Sequence, residues 1–192
     1  MRLVFDASRP QPPNNSCLNA CLAKGPDNYV NNLVGVLVSF RVGRVAAKGD
    51  LKKFYNCIAL TEEDSHCQRF LWRDMKKNEP PQIYRVTANN IGIKPSGCVA
   101  TSALELTCDM FMEKYPVVSE EIRNSSYVDD VGLCADDHAE LSKKIKQADE
   151  LFEYGGFHCK GWIESHLPGE AVEFGGEMKG SELEVSPRQF WE

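Results

Sequence analysis

Two adjacent aspartates, Asp129 and Asp130, interrupt a segment that otherwise has the pattern of a β-hairpin. They follow Tyr127 and Val128 and precede Val131, all of which have high β preference. Adjacent like charges repel and strands disfavour aspartate, so this placement requires a specific reason. One reason is a hairpin turn, where aspartate is common. The other is a divalent cation such as Mg²⁺, which binds carboxylate oxygens.

A third acid, Asp50, follows the short β-prone segment 45–48. If that strand lies beside the hairpin, Asp50 and Asp129 converge on one point. A set of carboxylates like this can hold two metal ions about 4 Å apart, which stabilise the attacking and leaving oxygens of phosphoryl transfer. The four histidines lie in polar or turn contexts, and no His or Cys nucleophile motif competes with this interpretation. We call Asp50, Asp129 and Asp130 the acid cluster.

Helices and strands alternate along the chain without strict βαβ spacing, which predicts an α+β fold with an antiparallel sheet packed on helices. Strands are predicted at 2–7, 45–48, 67–73, 82–87 and 157–163, with the hairpin at 125–134. Helices are predicted at 26–43, 96–114 and 137–153, and a glycine-rich turn region at 172–185.

Composition fits an ordinary globular domain, because 192 residues with 42% hydrophobic side chains can bury a core without disulfides or a structural metal. The eight cysteines contain no CxxC pair and most have apolar neighbours, which predicts free buried thiols in a reducing compartment. A metal site built from Cys17, Cys21, His158 and Cys159 is the alternative, although its spacing matches no zinc pattern. The chain has neither a signal peptide nor a membrane-spanning stretch, so we expect a cytoplasmic protein with no membrane partner.

The formal net charge of −6 argues at first against a nucleic-acid partner. The charge is unevenly distributed, however. Residues 1–94 carry 14 Lys and Arg against 8 Asp and Glu, whereas residues 95–192 carry 8 against 20. Because electrostatic potential acts locally, the basic first half keeps nucleic-acid binding open.

Seven sequence blocks occur in a characteristic order along the chain. They are RLVFDAS (2–8), LN (18–19), KGDLKKFYNCI (48–58), RFLWRD (69–74), IGIKPSG (91–97), YVDD (127–130) and YGGFHCKGW (154–162). In these blocks and their order the chain resembles a reverse-transcriptase palm, and specifically the polymerase of Bel/Pao-type long-terminal-repeat retrotransposons, over nearly its whole length. The resemblance implies an RNA-directed DNA polymerase that transfers a nucleotide from dNTP to a primer 3′-hydroxyl during retrotransposon replication.

The resemblance also implies roles for individual residues. Asp50 and Asp129 are expected to bind two Mg²⁺ ions, for which Mn²⁺ is a possible substitute, and Asp130 to complete the catalytic cluster.

Four further residues are expected to bind the substrate. Arg2 would contact the triphosphate, and Tyr55 would exclude a ribose 2′-hydroxyl. Gly92 would let the backbone approach the nucleotide and template, and Lys160 would lie near the phosphates. Structural alternatives remain open: a surface arginine, a core aromatic ring and a solvated lysine at positions 2, 55 and 160 respectively.

The implied organisation is a single reverse-transcriptase domain fragment, with the thumb, connection and RNase H domains absent. Residues 1–45 and 60–90 would form fingers-like parts, 46–59 and 91–170 the palm, and 171–192 a primer-grip-like region. The implied partners are an RNA or DNA template with its primer, dNTP and the remaining polyprotein domains.

Two other functions remain open. The missing thumb and departures from the family at 91–97 suggest a degenerate or domesticated palm that binds nucleic acid or a protein without catalysis. The same acids would also suit a metal-dependent nuclease or another nucleotidyltransferase.

Overall fold

The computed structural model of the chain describes residues 5–165. Its central strands are β1 (Val45–Leu51), β4 (Ser126–Tyr127), β5 (Asp130–Ala135) and β6 (Cys159–Glu164). They form an antiparallel sheet in the order β4-β5-β1-β6. A separate antiparallel hairpin consists of β2 (Arg69–Trp72) and β3 (Gln82–Arg85), within the two segments predicted as strands.

The described residues contain six α-helices: α1 (Leu18–Cys21), α2 (Leu33–Ser39), α3 (Glu62–Ser65), α4 (Ser96–Phe111), α5 (Pro116–Ser125) and α6 (His138–Tyr154). The three longest, α4, α5 and α6, form a layer on the central sheet. Helix α6 contacts β1, β5 and β6, α5 contacts β5, and α4 packs against both α5 and α6. The predicted antiparallel sheet packed on helices is therefore confirmed.

The core lies between this helical layer and one face of the sheet. Strand alternation directs Ala47 and Leu51 of β1, and Val131 and Leu133 of β5, into the core, where each is at most 1% exposed. They pack with buried side chains from the helices, including Leu104, Ile122, Leu141, Leu151 and Phe152. Burying one large aliphatic or aromatic side chain contributes about 1.5–3 kcal/mol, so this layer fixes which way the sheet faces.

The opposite face of the sheet is only partly covered. Near the end of α2, the Phe40 ring lies against Gly132 and the Cys134 thiol donates to the carbonyl of Ser39 at 3.5 Å. Further along the same face, Lys48 and Asp50 of β1 are only half-buried. The partly exposed end of this face therefore carries polar side chains.

Helix α2 is much shorter than the helix predicted at 26–43. Asn32 is its N-cap, because the Asn32 side chain accepts a hydrogen bond from the Gly35 amide at 3.1 Å. The preceding Asn31 donates its side-chain amide to the carbonyls of Arg123 and Ser126, at 2.7 and 2.9 Å. These contacts hold the preceding segment against the end of α5, so the prediction that Pro26 begins the helix is wrong.

The strand predicted at 2–7 is wrong where the structure describes it, since residues 5–7 form no strand. The Asp6 side chain accepts from the Ser8 amide at 3.1 Å, a local turn that competes with strand pairing. The Phe5 ring packs edge-on against Phe70, with 5.1 Å between the ring centroids. Residues 1–4 and 166–192, which include the predicted primer-grip-like region, lie outside the described residues.

All eight cysteines are free thiols, but only Cys108 is buried, so the prediction that they are buried is wrong for the others. Burial raises the pKa of the Cys108 thiol to about 12, which keeps it protonated and unreactive. In the part of the chain that the structure describes, no helix is long and apolar enough to cross a membrane.

Candidate active site

The two adjacent aspartates lie at the turn of the β4–β5 hairpin. Tyr127 pairs with Asp130, so Val128 and Asp129 form a two-residue turn between them. Val128 has φ 58°, a conformation that glycine normally supplies at the first position of such a turn. A β-branched residue is strained there, and strain of this kind concentrates at functional sites. The turn places Asp129 at the tip of the hairpin.

Strand pairing brings the third acid to the same place. In the β1–β5 register, Asp50 lies directly opposite Asp130. The amide of Leu51 donates to the carbonyl of Asp129 at 2.8 Å, which ties the end of β1 to the hairpin tip. Residues directly opposite in an antiparallel pair have Cβ atoms about 4.5–5.5 Å apart. The three residues of the acid cluster are therefore neighbours in space, although 79 positions separate Asp50 from Asp129 in the sequence.

Lys160 is placed beside Asp50 by an irregularity in the sheet. Gly49 pairs with Trp162 and Leu51 with Cys159, so β6 has an extra residue at this point. Such a bulge redirects a side chain, and Gly161 provides the required backbone with φ 149°. The Lys160 Nζ lies 2.7 and 2.8 Å from the two carboxylate oxygens of Asp50.

This ion pair changes the electrostatics of the site. The hydrogen bond to Asp50 raises the pKa of Lys160, and the charges of Asp50, Asp129 and Asp130 act in the same direction. The lysine therefore stays charged at neutral pH. It lies beside the cluster, as the predicted phosphate contact requires, but its described partner is a carboxylate.

A second lysine, which the sequence analysis did not single out, contacts the cluster from β1. The Lys48 Nζ lies 3.0 Å from Asp130 Oδ2. Lys48 is opposite Gly132, two residues from Asp130, so the contact is the diagonal pairing expected on one face of an antiparallel sheet. Its position two residues before Asp50 was the available signal, because alternate residues of a strand share a face.

Tyr55 lies in a short 3₁₀ turn, Phe54–Cys57, that follows β1. Its ring is half-buried against the core and packs edge-on to Phe54 with 5.6 Å between centroids. Burial raises the pKa of the Tyr55 phenol, and the negative charge of Asp129 contributes in the same direction. The ring is thus packed against the core, and its hydroxyl lies within electrostatic range of Asp129.

Of the two other predicted site residues, only Gly92 lies within the described residues. The described contacts of Gly92 are with the loop around Phe5: its carbonyl accepts from the Asn19 side chain at 2.9 Å, and its φ is 95°. A Cβ at position 92 would lie 2.8 Å from the carbonyl oxygen of Phe5, so glycine is needed for this loop packing. Arg2 lies outside the described residues.

The side chains of the acid cluster are of the type that binds Mg²⁺, but they are not already arranged around a metal position. Among residues 5–165, no group of three or more His, Cys, Asp or Glu side chains is arranged to hold a metal ion. The alternative set of Cys17, Cys21, His158 and Cys159 is likewise not assembled. Carboxylates are nonetheless the ligands that Mg²⁺ prefers, and it is commonly bound by one or two of them together with substrate phosphates. Asp50 and Asp129 could supply that protein share.

No protein-family model matches the chain, and no curated protein matches it significantly. The order of the sequence blocks and the arrangement of the acid cluster are therefore the features that indicate a function.

Proposed function

We propose that this chain is the fingers and palm part of a Bel/Pao-type retrotransposon reverse transcriptase, an RNA-directed DNA polymerase. The observation that supports it best is the β1–β5 register, which places Asp50 opposite Asp130 with Asp129 at the adjoining hairpin tip. All three side chains are partly exposed, so a substrate can reach them. Carboxylates gathered from separate strands at an accessible point of a sheet suit two-metal phosphoryl transfer.

The proposed reaction is nucleotidyl transfer. The primer 3′-hydroxyl loses its proton to solvent water and its oxygen bonds to the α-phosphorus of a dNTP, while the bond from that phosphorus to the oxygen bridging the α- and β-phosphates breaks and pyrophosphate leaves. Two Mg²⁺ ions, or Mn²⁺, would supply activation of the attacking oxygen and charge compensation on the leaving oxygen. Asp50 and Asp129 would hold them, and Asp130 beside them would complete the set as a further metal ligand.

The surrounding residues suit a phosphate-bearing substrate. Lys160 lies at the cluster, where it can exchange its carboxylate contact for a triphosphate oxygen. Arg2 is proposed to bind the triphosphate, and Gly92 to support the nucleotide pocket through the loop that it packs against. The proposed partners are an RNA or DNA template with its primer, dNTP and the other domains of the polyprotein.

A primer-extension assay tests the proposal. The chain is incubated with an RNA template, a DNA primer, dNTPs and Mg²⁺ or Mn²⁺, in parallel with an Asp129→Asn/Asp130→Asn variant. We expect primer elongation by the wild-type chain only. Equal incorporation by both proteins would overturn the proposal, and shortened rather than lengthened primer would indicate a nuclease.

Tyr55 is expected to set the preference for deoxynucleotides. Because the Tyr55 ring is fixed against Phe54, it can exclude a 2′-hydroxyl sterically. In Tyr55→Val the ratio of kcat/KM for dCTP over CTP should fall about ten- to hundredfold, which matches a steric cost of about 1–3 kcal/mol. Tyr55→Phe keeps the ring and should keep the ratio. A valine variant with the wild-type ratio would remove Tyr55 from substrate selection.

A second candidate function is a folded palm without catalysis. It is favoured by the lysine contacts, because Lys160 on Asp50 and Lys48 on Asp130 would also stabilise the acids as ordinary structural ion pairs. Such a protein would bind nucleic acid or a protein partner and would not extend a primer. The extension assay separates the two functions.

A further inference from the structure

Two lysine ammonium groups are bound to carboxylates of the acid cluster. Lys160 contacts both oxygens of Asp50, at 2.7 and 2.8 Å, from the bulge in β6. Lys48 contacts one oxygen of Asp130, at 3.0 Å, from β1. Among the described residues, Asp129 forms no such pair. Within residues 5–165 the acid cluster therefore has two carboxylates with lysine partners and one without.

The lysines contact the same oxygens that a divalent cation would use. An ion bound to Asp50 or Asp130 would lie a few ångströms from an ammonium group, and the two positive charges would repel. The Lys160 side chain is 53% exposed and the Lys48 side chain is 35% exposed, so water and salt weaken this repulsion without abolishing it.

On the basis of the proposed metal site, we infer that Lys48 and Lys160 are positioning residues that compete with divalent cations for carboxylates. Lys48 competes for the carboxylate of Asp130, and Lys160 for that of Asp50. Cation binding is then an exchange, in which the ammonium group leaves the carboxylate as the metal arrives. A lysine released in this way becomes available to a phosphate oxygen, which couples metal binding to substrate binding. Removing either lysine should strengthen metal binding.

A purely structural role predicts a different result. If the lysines only held the strands and carboxylates in place, their removal would disorder the acid cluster and leave metal binding weaker or unchanged. The sign of the change in metal affinity therefore distinguishes the two roles.

The test is titration of the chelator-treated chain with Mn²⁺, with free Mn²⁺ measured by electron paramagnetic resonance. Lys160→Met and Lys48→Met should each bind Mn²⁺ roughly two- to fivefold more tightly than the wild type, as expected for loss of one partly exposed charge interaction. Lys160→Arg keeps the charge and should remain close to the wild type. Lys146→Met, on the exposed surface of α6, is the matched control and should also bind as the wild type does.

A double variant shows whether the effect acts through Asp50. In an Asp50→Asn background, Lys160→Met should no longer strengthen Mn²⁺ binding, because the contested carboxylate is gone. If the wild type binds Mn²⁺ and both methionine variants bind it equally well or more weakly, the competition by the lysines is overturned and the proposed metal-dependent function is not. Absence of Mn²⁺ binding by every variant would contradict both the inference and the proposed metal-dependent function.

Discussion

Replacing Asp50 with asparagine is expected to lower nucleotide incorporation by at least about a thousandfold, since a metal-binding carboxylate in the transition state contributes several kcal/mol. Asparagine has nearly the same shape but lacks the negative charge that would hold the cation. The Asp50 side chain is 42% exposed, so its loss should leave the fold intact. The measurement is the rate of single-nucleotide incorporation at saturating Mg²⁺, with circular dichroism to confirm folding.

Asp136→Asn is a suitable control for this experiment. Asp136 directly follows β5, is exposed, and lies outside the acid cluster. Its variant should incorporate nucleotides at the wild-type rate. An Asp50→Asn protein that is folded and retains more than about a tenth of wild-type activity would show that Asp50 holds no catalytic metal.

The second large effect concerns stability. Replacing Glu121 with alanine is expected to lower the free energy of unfolding by about 2–4 kcal/mol, because it breaks an almost buried network. Glu121 and Lys144 are only 14% and 13% exposed, and Lys144 Nζ lies 2.8 Å from Glu121 Oε2. Glu121 also accepts the Cys134 amide at 2.6 Å, and Lys144 donates to the Cys134 carbonyl at 2.6 Å. The network ties α5 and α6 to β5.

Urea unfolding of five proteins measures this effect: the wild type, Glu121→Ala, Lys144→Met, the double variant of these two, and the control Glu120→Ala. Glu120→Ala alters the neighbouring exposed glutamate and should change stability by no more than about 0.5 kcal/mol. In Glu121→Ala/Lys144→Met, the uncompensated charge is removed as well, so the loss should be smaller than the sum of the single losses. Equal stability of Glu121→Ala and Glu120→Ala would show that the network contributes nothing.

The parts of the fold that the sequence predicts well have strong local signals. Helix α6 has Asp137 as its N-cap, whose side chain accepts a hydrogen bond from the Glu140 amide, and the glycine pair 155–156 follows its last residue. The β4–β5 hairpin was predictable because β-prone residues flank the pair of aspartates. The acid cluster follows from these elements once β1 lies beside the hairpin, which the sequence suggested and the register shows.

The missed features depend on long-range contacts or on ambiguous residues. The sequence pattern predicts no helix between 114 and 137, but Pro116 is the first residue of α5, where its fixed φ favours a helix start. The start of α2 depends on hydrogen bonds from Asn31 to the distant end of α5. The lysine contacts depend on strand order, register and a bulge, none of which local sequence preference specifies.

The most direct test of the proposed function is the stoichiometry of a single turnover. Primer annealed to an RNA template, one complementary dNTP and Mg²⁺ are mixed with the chain, and elongated primer and pyrophosphate are quantified together. Two-metal nucleotidyl transfer predicts one pyrophosphate for each added nucleotide, with neither product formed by the Asp129→Asn/Asp130→Asn variant. No elongation by the wild-type chain with either Mg²⁺ or Mn²⁺, or equal elongation by the variant, would contradict the assignment of the acid cluster to catalysis.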